Sequence, residues 1–270
     1  MKIMSWNING ARSSANKLRT LIQTEQPDVL LLQEIKCQSG ELRGLLAADL
    51  PDYTIFVSDS YRAGHFGVAT LIRTSLIKDE YGDFKDTFEV VTSPIDYVID
   101  GKQEGRLLAT VIDGMLILNT YTVNVRRDLS RLKEREGYDN HVMALVEGFR
   151  QHRGVTSVIY MGDLNVVPEA IDYHGNEIRP KTAGMTRMER VKYQEFLTRL
   201  DLVDSYRAKY PRAVRFTYFS FIGDARTTGK GWRIDLALVS RDLIDKIVEV
   251  DILEDVLGSD HVPIYLTLQD

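Results

Sequence analysis

Hydrophobic and polar positions alternate along the chain in short blocks that predict strands and helices in turn. Apolar residues in alternation, or in unbroken runs between turn residues, predict strands over residues 2–8, 28–33, 53–57, 68–72, 107–112, 115–121, 158–161, 216–221, 234–239 and 262–268. Helical spacing predicts helices over residues 16–24, 129–152 and 187–200, with Gly137 as a break in the second. The pattern indicates an α/β protein.

Two segments carry more specific local signals. Asp113-Gly114 lies between two strand patterns and predicts a hairpin with a two-residue turn. Residues 78–105 are the least regular part of the chain, and we expect a surface loop or an extra hairpin there.

Polar side chains follow several of the apolar strands, at the point where each strand leaves the core. These side chains are Asn7 and Asn9, Glu34, Tyr121 and Asn124, Asp163 and Asn165, and Asp260 and His261. A carboxylate at the end of a buried strand is costly unless it is paired or binds a metal. If the strands lie side by side, these ends converge on one rim, where such folds place their sites.

Each of these groups has an ordinary structural explanation when it is taken alone. Glu34 fits a solvated acid at a strand end, Asp163 with Asn165 fits an Asx turn or helix cap, and Asp260-His261 fits a turn. Together they offer the hard oxygen ligands that Mg²⁺ or Mn²⁺ prefers, and no arrangement of His and Cys suits zinc. The combination predicts phosphate chemistry assisted by a hard divalent ion.

Composition and charge narrow the class of protein. With 270 residues and 44% apolar residues, we expect a single domain over 1–270. The net charge of −5 argues against a protein held on DNA by bulk basic charge alone, although single arginines can still contact phosphates. Apolar runs are far shorter than the roughly 20 residues of a membrane span. The polar N-terminus and the lone Cys37 favour a reducing, cytoplasmic location.

Five ordered motifs carry a resemblance to a known family. The chain resembles the exonuclease III family of abasic-site endonucleases through Trp6-Asn7-Ile8-Asn9-Gly10-Ala11-Arg12, Leu32-Gln33-Glu34-Ile35-Lys36, Gly162-Asp163-Leu164-Asn165, Gly231-Trp232-Arg233-Ile234-Asp235 and Gly258-Ser259-Asp260-His261-Val262-Pro263-Ile264. A single tetrapeptide is weak evidence, whereas five motifs in order along essentially the whole chain are strong evidence.

This resemblance implies both a fold and an activity. The fold would be a two-sheet, four-layer α/β sandwich of the DNase I type, with helices on the outer faces. The activity would be metal-dependent hydrolysis of the DNA backbone 5′ to abasic sites in base-excision repair, with 3′→5′ exonuclease or 3′-phosphatase activity as additions. Mg²⁺ would be the cofactor, with Mn²⁺ as a substitute. The partner would be double-stranded DNA with abasic sites or 3′ ends. The protein would be a monomer, nucleoid-associated in a prokaryote.

The resemblance also implies roles for individual residues. The catalytic set would be Tyr121, Asp163, Asn165, Asp235 and His261. In this set Asp163 deprotonates the attacking water, Asn165 holds that water or a transition-state oxygen, and Asp235 positions the imidazole of His261 against the phosphate. Tyr121 would lie near the leaving oxygen. The metal ligands would be Asn7, Glu34, Asp163, Asn165, Asp260 and His261, with Asn9 close by.

DNA contacts follow from the same resemblance. Trp232 and Tyr218 resemble the aromatic residues of a pocket for a flipped, baseless sugar, and Phe216 and Phe219 would line or support it. Candidate contacts to the DNA strands are Arg62, His65, Asn124, Arg126, Arg127 and Arg226. For each arginine, a plain solvated surface position is an equally good explanation.

Departures from the family pattern lie in the loops that would contact DNA. Thr122-Val123 stands where relatives carry a proline, Val167-Pro168 where they carry Ala-His, Phe219 where they carry Trp, and Gly229 where they carry Asn. Three alternatives therefore stay open. One is another member of the superfamily, such as a nonspecific or structure-specific DNase, and another is a catalytically silent regulator that binds nucleic acid. The third is a small-molecule phosphatase, which would not need Trp232 or the flanking arginines.

Overall fold

A computed structural model describes residues 1–91 and 97–269. The strands are β1 (Lys2–Asn7), β2 (Val29–Gln33), β3 (Tyr53–Ser58), β4 (Val68–Arg73), β5 (Phe88–Val91), β6 (Val98–Ile99), β7 (Lys102–Gln103), β8 (Leu107–Ile112), β9 (Met115–Tyr121), β10 (Ser157–Asp163), β11 (Leu202–Asp204), β12 (Asp235–Ser240), β13 (Ile247–Ile252) and β14 (Ile264–Leu268). The α-helices are α1 (Ala11–Glu25), α2 (Ser39–Leu46), α3 (Thr74–Ile77), α4 (Leu132–His152), α5 (Arg187–Arg199) and α6 (Ser205–Lys209). Short 3₁₀ helices cover Ala170–Asp172 and Arg241–Lys246.

The strands form two six-stranded mixed sheets and a small ribbon. The first sheet has the order β13-β14-β1-β2-β4-β3, the second has the order β11-β12-β10-β9-β8-β5, and β6 pairs with β7. Each large sheet contains one parallel pair at its centre, β1 with β2 and β9 with β10. Both members of a parallel pair end at the same edge of the sheet, so each sheet has one edge that receives two strand ends.

Three apolar clusters define four layers. The inner faces of the sheets meet in a core that includes Ile3, Leu31, Ile117 and Ile159. A second cluster packs α4 and α5 on the outside of the second sheet, and a third packs α1 and α2 on the outside of the first. These layers confirm the α/β sandwich with outer helices.

The structure confirms some local predictions and corrects others. Asp113 and Gly114 both adopt left-handed φ values, 49° and 77°, and form the hairpin turn between β8 and β9. Helix α4 runs unbroken through Gly137, so the predicted break is wrong. A Cβ at Gly137 would lie 2.1 Å from the Tyr97 hydroxyl, so the glycine is explained by this ring's close approach.

The prediction of a strand over residues 216–221 is wrong. In this segment Tyr218 alone forms isolated bridges, one to Trp232 and one to His261. Phe216 and Phe219 turn inward from a loop, while Phe221 is exposed, and the sequence period alone cannot distinguish this arrangement from a strand. Residues 78–105 form β5 and the β6–β7 hairpin, as an extra hairpin was expected, and residues 92–96 of this prediction lie outside the described part.

A buried ion network joins the last strands of the second sheet to the loop after β10. The guanidinium of Arg233 contacts Asp172 at 2.6 Å and Asp204 at 2.7 Å, and Arg207 also pairs with Asp172. Burial alone would raise the pKa of Asp172, but the charges and hydrogen bonds of Arg233 and Arg207 lower it overall. The network therefore stabilises the fold above the ordinary carboxyl pKa, and this contribution is lost as the pH falls through the lowered value.

We expect Arg233→Met to lower the free energy of unfolding by about 3–5 kcal/mol at neutral pH, because two buried carboxylates lose their partner. Arg241→Met is the matched control, since Arg241 pairs with Asp201 at an exposed site and should cost at most about 1 kcal/mol. Urea titration measures both values. The difference in free energy of unfolding between wild type and Arg233→Met should become smaller as the pH is lowered. An equal loss of stability in Arg233→Met and Arg241→Met would contradict a stabilising role for the buried network.

No helix within the described residues is long and apolar enough to cross a membrane.

Candidate active site

The ends of the central strands of both sheets meet at one mouth of the sandwich. Asn7 ends β1 and Glu34 follows β2 in the first sheet, while Tyr121 ends β9 and Asp163 ends β10 in the second. The two sheets are joined here, because the amide of Asn7 donates to Glu34 at 2.9 Å and to Asp163 at 3.0 Å. The convergence expected from the strand ends is therefore present.

Backbone conformations at this mouth are unusual. Asn9, Glu34 and Asn165 all have positive φ values, 48°, 50° and 45°. Asparagine tolerates this region, but a glutamate there costs about 1–3 kcal/mol and persists only where the surroundings fix it. Gly162 precedes Asp163 with a φ of 148°, and a Cβ there would lie 2.1 Å from the carbonyl oxygen of Thr120. The chain thus accepts local strain to deliver Glu34 and Asp163 to the mouth.

An aspartate–histidine–aspartate row lies at the mouth, with Asp163 and Asp235 on neighbouring strands of the second sheet and His261 just before β14 of the first. Nδ1 of His261 lies 2.8 Å from Oδ2 of Asp235, and its Nε2 lies 3.8 Å from Oδ2 of Asp163. The backbone of His261 is held as well, since Nε1 of Trp6 donates to the His261 carbonyl at 3.1 Å. Asp235 fixes the ring so that Nε2 is directed toward the open side.

The pKa values of this row are strongly shifted. Burial lowers the pKa of His261, but Asp235 and Asp163 raise it by more, to about 10. Burial raises the pKa of Asp163 to about 7, against the opposing effect of His261. Burial, with Glu34, raises the pKa of Tyr121 well above its usual value. The raised pKa of His261 favours the imidazolium form, and the raised pKa of Asp163 makes its carboxylate a stronger base, which suits proton transfer.

Oxygen atoms on the first-sheet side of the mouth suit a hard cation. Asp260 accepts from the Asn9 amide at 2.9 Å, and the ammonium of Lys36 contacts both Glu34, at 2.8 Å, and the side-chain oxygen of Asn9. The Lys36 ammonium therefore bridges the side-chain oxygens of Glu34 and Asn9. Carboxylate and amide oxygens of this kind are the ligands that Mg²⁺ or Mn²⁺ would bind. The residues fit a divalent ion.

A second, more compact group lies on the other side. Ligand atoms of Asp163, Asp235 and His261 all lie within 4.8 Å of one another. Of the predicted metal ligands this group contains Asp163 and His261, while Asp235 was expected only as a catalytic residue. Glu34 and Asp260 are not part of it. The mouth thus offers two neighbouring groups of side chains that could hold a metal.

A cavity of about 290 Å³ opens between these groups. Predicted site residues in its lining are Glu34, Tyr121, Asn124, Asp163, Asn165, Tyr218, Trp232, Asp260 and His261. Asn7 and Asp235 stand directly behind this lining, hydrogen-bonded to it. One wall is largely apolar and consists of Trp232, Tyr218, Ile234, Ala183 and Gly184. The cavity therefore pairs a polar floor with an aromatic side wall.

The remaining predicted DNA contacts lie elsewhere on the surface. Arg62, His65, Arg126 and Arg127 are exposed, on loops that follow β3 and β9. Arg226 differs from them, because its guanidinium donates to the Val256 carbonyl at 3.1 Å and lies over the Phe219 ring. Phe216 and Phe219 are buried among core residues rather than lining the cavity.

Sequence reasoning missed several residues near the site. Lys36 belongs to a motif that was singled out, but a lysine gave no reason to expect contact with Glu34. Phe221 and Ile222 are 72% and 86% exposed on the loop between Tyr218 and Trp232, and two adjacent apolar residues before Gly223-Asp224 were the available signal. The buried Arg106 lies over the Tyr121 ring, 4.6 Å from its centroid.

The fold and the site define a class: an α/β sandwich with carboxylate, amide and imidazole groups gathered at the mouth between its two sheets. The chain belongs to the endonuclease/exonuclease/phosphatase family, whose model matches residues 4–261. It is 30% identical to an exodeoxyribonuclease of Bacillus subtilis over 99% of both chains. It is also 30% identical to the DNA repair nuclease APEX1 of Danio rerio, over 99% of this chain and 82% of that one. An AP endonuclease from Leishmania major has the same fold, with a TM-score of 0.86 at 24% identity, covering all of this chain and 87% of its own.

Proposed function

We propose that this protein hydrolyses the DNA backbone 5′ to abasic sites, with Mg²⁺ as its cofactor and Mn²⁺ as a substitute. The observation that carries the proposal is the row Asp235–His261–Asp163 beside Glu34 in one cavity. The names of the relatives in B. subtilis and D. rerio support a DNA substrate and a role in repair. Exonuclease and 3′-phosphatase activity at 3′ ends would use the same groups.

Asp163 is the proposed general base. Burial raises its pKa above the ordinary carboxyl value, which makes the carboxylate a stronger base toward water. Asn165 lies two residues on and donates its backbone amide to the carboxylate at 3.0 Å, which fixes the orientation of Asp163. The Asn165 side chain also lines the cavity and would hold a phosphoryl oxygen or the water.

Positive charge and hydrogen-bond donors face the position of the phosphate. Attack on a phosphodiester adds negative charge to the phosphoryl oxygens and the leaving 3′ oxygen, and preorganised donors there lower the barrier. The imidazolium of His261 would donate from Nε2, and the Tyr121 hydroxyl, kept protonated by its raised pKa, would serve the leaving oxygen. A divalent ion held by Glu34 and Asp260, with Asn7 in support, would supply Lewis-acid stabilisation of the same charge.

The aromatic wall is the proposed basis of abasic-site preference. Trp232 and Tyr218 face a space of about 290 Å³ beside the phosphate position, suited to a sugar without its base. Gly184 lies against this wall with a φ of 81°, and a Cβ there would come within 3.4 Å of the Trp232 ring. The exposed Arg62, Arg126 and Arg127 would contact the DNA backbone, which adds affinity without sequence preference.

All groups of the proposed mechanism come from one chain, so we propose that a monomer suffices. A DNA substrate would place the protein in the cytoplasm, at the nucleoid in a prokaryote.

A nicking assay tests the proposal. We expect a duplex with one abasic analogue to be cut once, on the 5′ side, in Mg²⁺, and to stay intact in EDTA because the metal is removed. An otherwise identical intact duplex is the control. Equal cutting of both duplexes would favour a nonspecific DNase. The exposed arginines would contact the DNA backbone in that enzyme too. Binding of either duplex without cleavage in Mg²⁺ or Mn²⁺ would contradict catalysis and favour the silent regulator.

A further inference from the structure

Arg135 is a buried cation that the proposed mechanism does not use. It lies in the first turn of α4, on the outer side of the second sheet, and is 2% exposed. An arginine is kept at such a position only when its charge and its fixed fork of donors are satisfied. Its Nε donates to Asp139 at 2.8 Å, one turn further along the same helix, which accounts for the charge.

The rest of the guanidinium is directed at the backbone of the candidate active site. Nη2 donates to the carbonyl of Leu164 at 2.9 Å, and Nη1 donates to the carbonyls of Asn165 at 3.1 Å and Val123 at 3.3 Å. Leu164 and Asn165 directly follow Asp163, and Val123 lies two residues after Tyr121. One side chain thus donates to backbone carbonyls just after the ends of both parallel strands, β9 and β10.

The contacts of Asn165 depend on the backbone conformation that Arg135 supports. Its backbone has a φ of 45°, so the peptide is held in a left-handed conformation with the carbonyl toward Arg135. On the other side, its Nδ2 donates to the Thr122 carbonyl at 3.0 Å and its Oδ1 accepts from Asn124 at 2.8 Å. The amide of Asn165 that contacts Asp163 shares its peptide unit with the Leu164 carbonyl that Arg135 holds, so rotation of that peptide would move this amide and, with it, the side chain that lines the cavity.

A weaker contact extends the same support to the aromatic wall. Nη1 of Arg135 lies 3.7 Å from Oε1 of Glu189, which is fully buried. That carboxylate accepts the backbone amide of Gly184 at 3.1 Å, and Gly184 packs against Trp232. Arg135 therefore contacts the backbone beneath the polar floor directly and reaches the side wall through one carboxylate.

We propose that Arg135 is a positioning residue, which fixes the segments just after Tyr121 and Asp163 by donating to backbone carbonyls in both. It touches no substrate and acts through the backbone of residues 123, 164 and 165. The kinetic part of this inference rests on the proposed function, and the structural part does not.

Arg135→Gln tests the inference in the full-length protein. We expect kcat for the abasic duplex to fall by about 10- to 100-fold with KM within about threefold, since displacement of a catalytic group by about 1 Å has an effect of this order. Arg150→Gln is the matched control. Arg150 lies in the same helix and donates to the Leu200 carbonyl and to Ser240, at the other end of α4, so its loss should leave kcat within about twofold. Equal kcat in the two variants, well below their melting temperatures, would overturn the inference.

Hydrogen exchange gives a readout that needs no activity. The amides of Leu164, Asn165 and Val167 are hydrogen-bonded, so a peptide covering residues 162–168 should exchange slowly in the metal-free wild type. We expect faster exchange there in Arg135→Gln and unchanged exchange in Arg150→Gln. If the wild type fails to cut the abasic duplex, the proposed function fails, and this measurement alone decides the role of Arg135: unchanged exchange overturns it.

Arg135→Lys covers the case in which Arg135→Gln does not fold. Lysine keeps the charge beside Asp139, but its single ammonium cannot reproduce the fork that reaches three carbonyls. We expect a folded variant with a smaller kcat loss and faster exchange confined to the same peptide. Wild-type kcat and exchange in Arg135→Lys would show that charge alone matters and would overturn a positioning role.

Discussion

Asp163→Asn should lower kcat for cleavage of an abasic duplex by about 10³- to 10⁴-fold while the affinity for that duplex is retained. General-base assistance typically contributes about 10²–10⁴-fold to the rate. We expect a loss in the upper part of this range because Asp163 also belongs to the compact group that could hold a metal. Affinity should not fall, because the substitution removes a negative charge that faces the phosphate. Single-turnover cleavage and fluorescence anisotropy measure the two quantities.

The control for this variant is another aspartate-to-asparagine change at a site with no role in the cavity. Asp113→Asn lies in the exposed β8–β9 turn, where Asn-Gly suits the same left-handed conformation, so kcat should be unchanged. Circular dichroism would check that both variants are folded. A turnover of Asp163→Asn within tenfold of wild type would remove this carboxylate from the role of base.

His261→Asn should lower kcat by about 10²- to 10³-fold, the usual effect of losing one donor to a developing oxyanion. Asp235→Asn should also lower kcat, because the ring remains but loses the carboxylate that lies 2.8 Å from Nδ1 and sets its tautomer and orientation. His152→Asn, an exposed histidine at the end of α4, is the matched control and should retain full activity. Steady-state kinetics on the abasic duplex measures all three.

Titration with metal separates two roles of His261. If the imidazole contacts the phosphate, excess Mg²⁺ or Mn²⁺ should leave the defect of His261→Asn in place, because the missing donor is not supplied by the ion. Restoration of kcat at high metal concentration would instead show that His261 acts as a metal ligand. Retention of kcat within tenfold at ordinary metal concentration would contradict both roles.

Much of the candidate site was accessible from local sequence. Glu34 follows a strand that is apolar on both faces, and Asp163 follows another, so a polar group at each strand exit was visible without coordinates. Parallel neighbours finish at the same edge within each sheet, but Glu34 and Asp163 belong to different sheets, and the face-to-face packing of the sheets brings the two groups to one mouth. The ordered motifs indicated the family, and the family match over residues 4–261 confirms it.

Other features were not accessible because they depend on which segments pack together. The period of residues 216–221 fits a strand, yet this segment runs as a loop past Trp232 and His261. Arg226 was a candidate DNA contact, with a solvated surface position as the alternative, but its guanidinium donates to the carbonyl of Val256, thirty residues further along the chain. Arg135 gave no signal at all, since a charged residue in a helix is ordinarily solvated.

The sequence alone determined the α/β class, most of the strands and the chemical groups of the site, because local apolar periodicity and residue type encode these directly. Only the tertiary structure decided the partners of those groups. The Asn7–Asp163 contact joins residues 156 positions apart, and it exists only because two sheets pack face to face with their parallel strand ends at the same mouth. Burial in that packing also sets the pKa values of Asp163 and His261, which depend on solvent exclusion and neighbouring charge rather than on residue type.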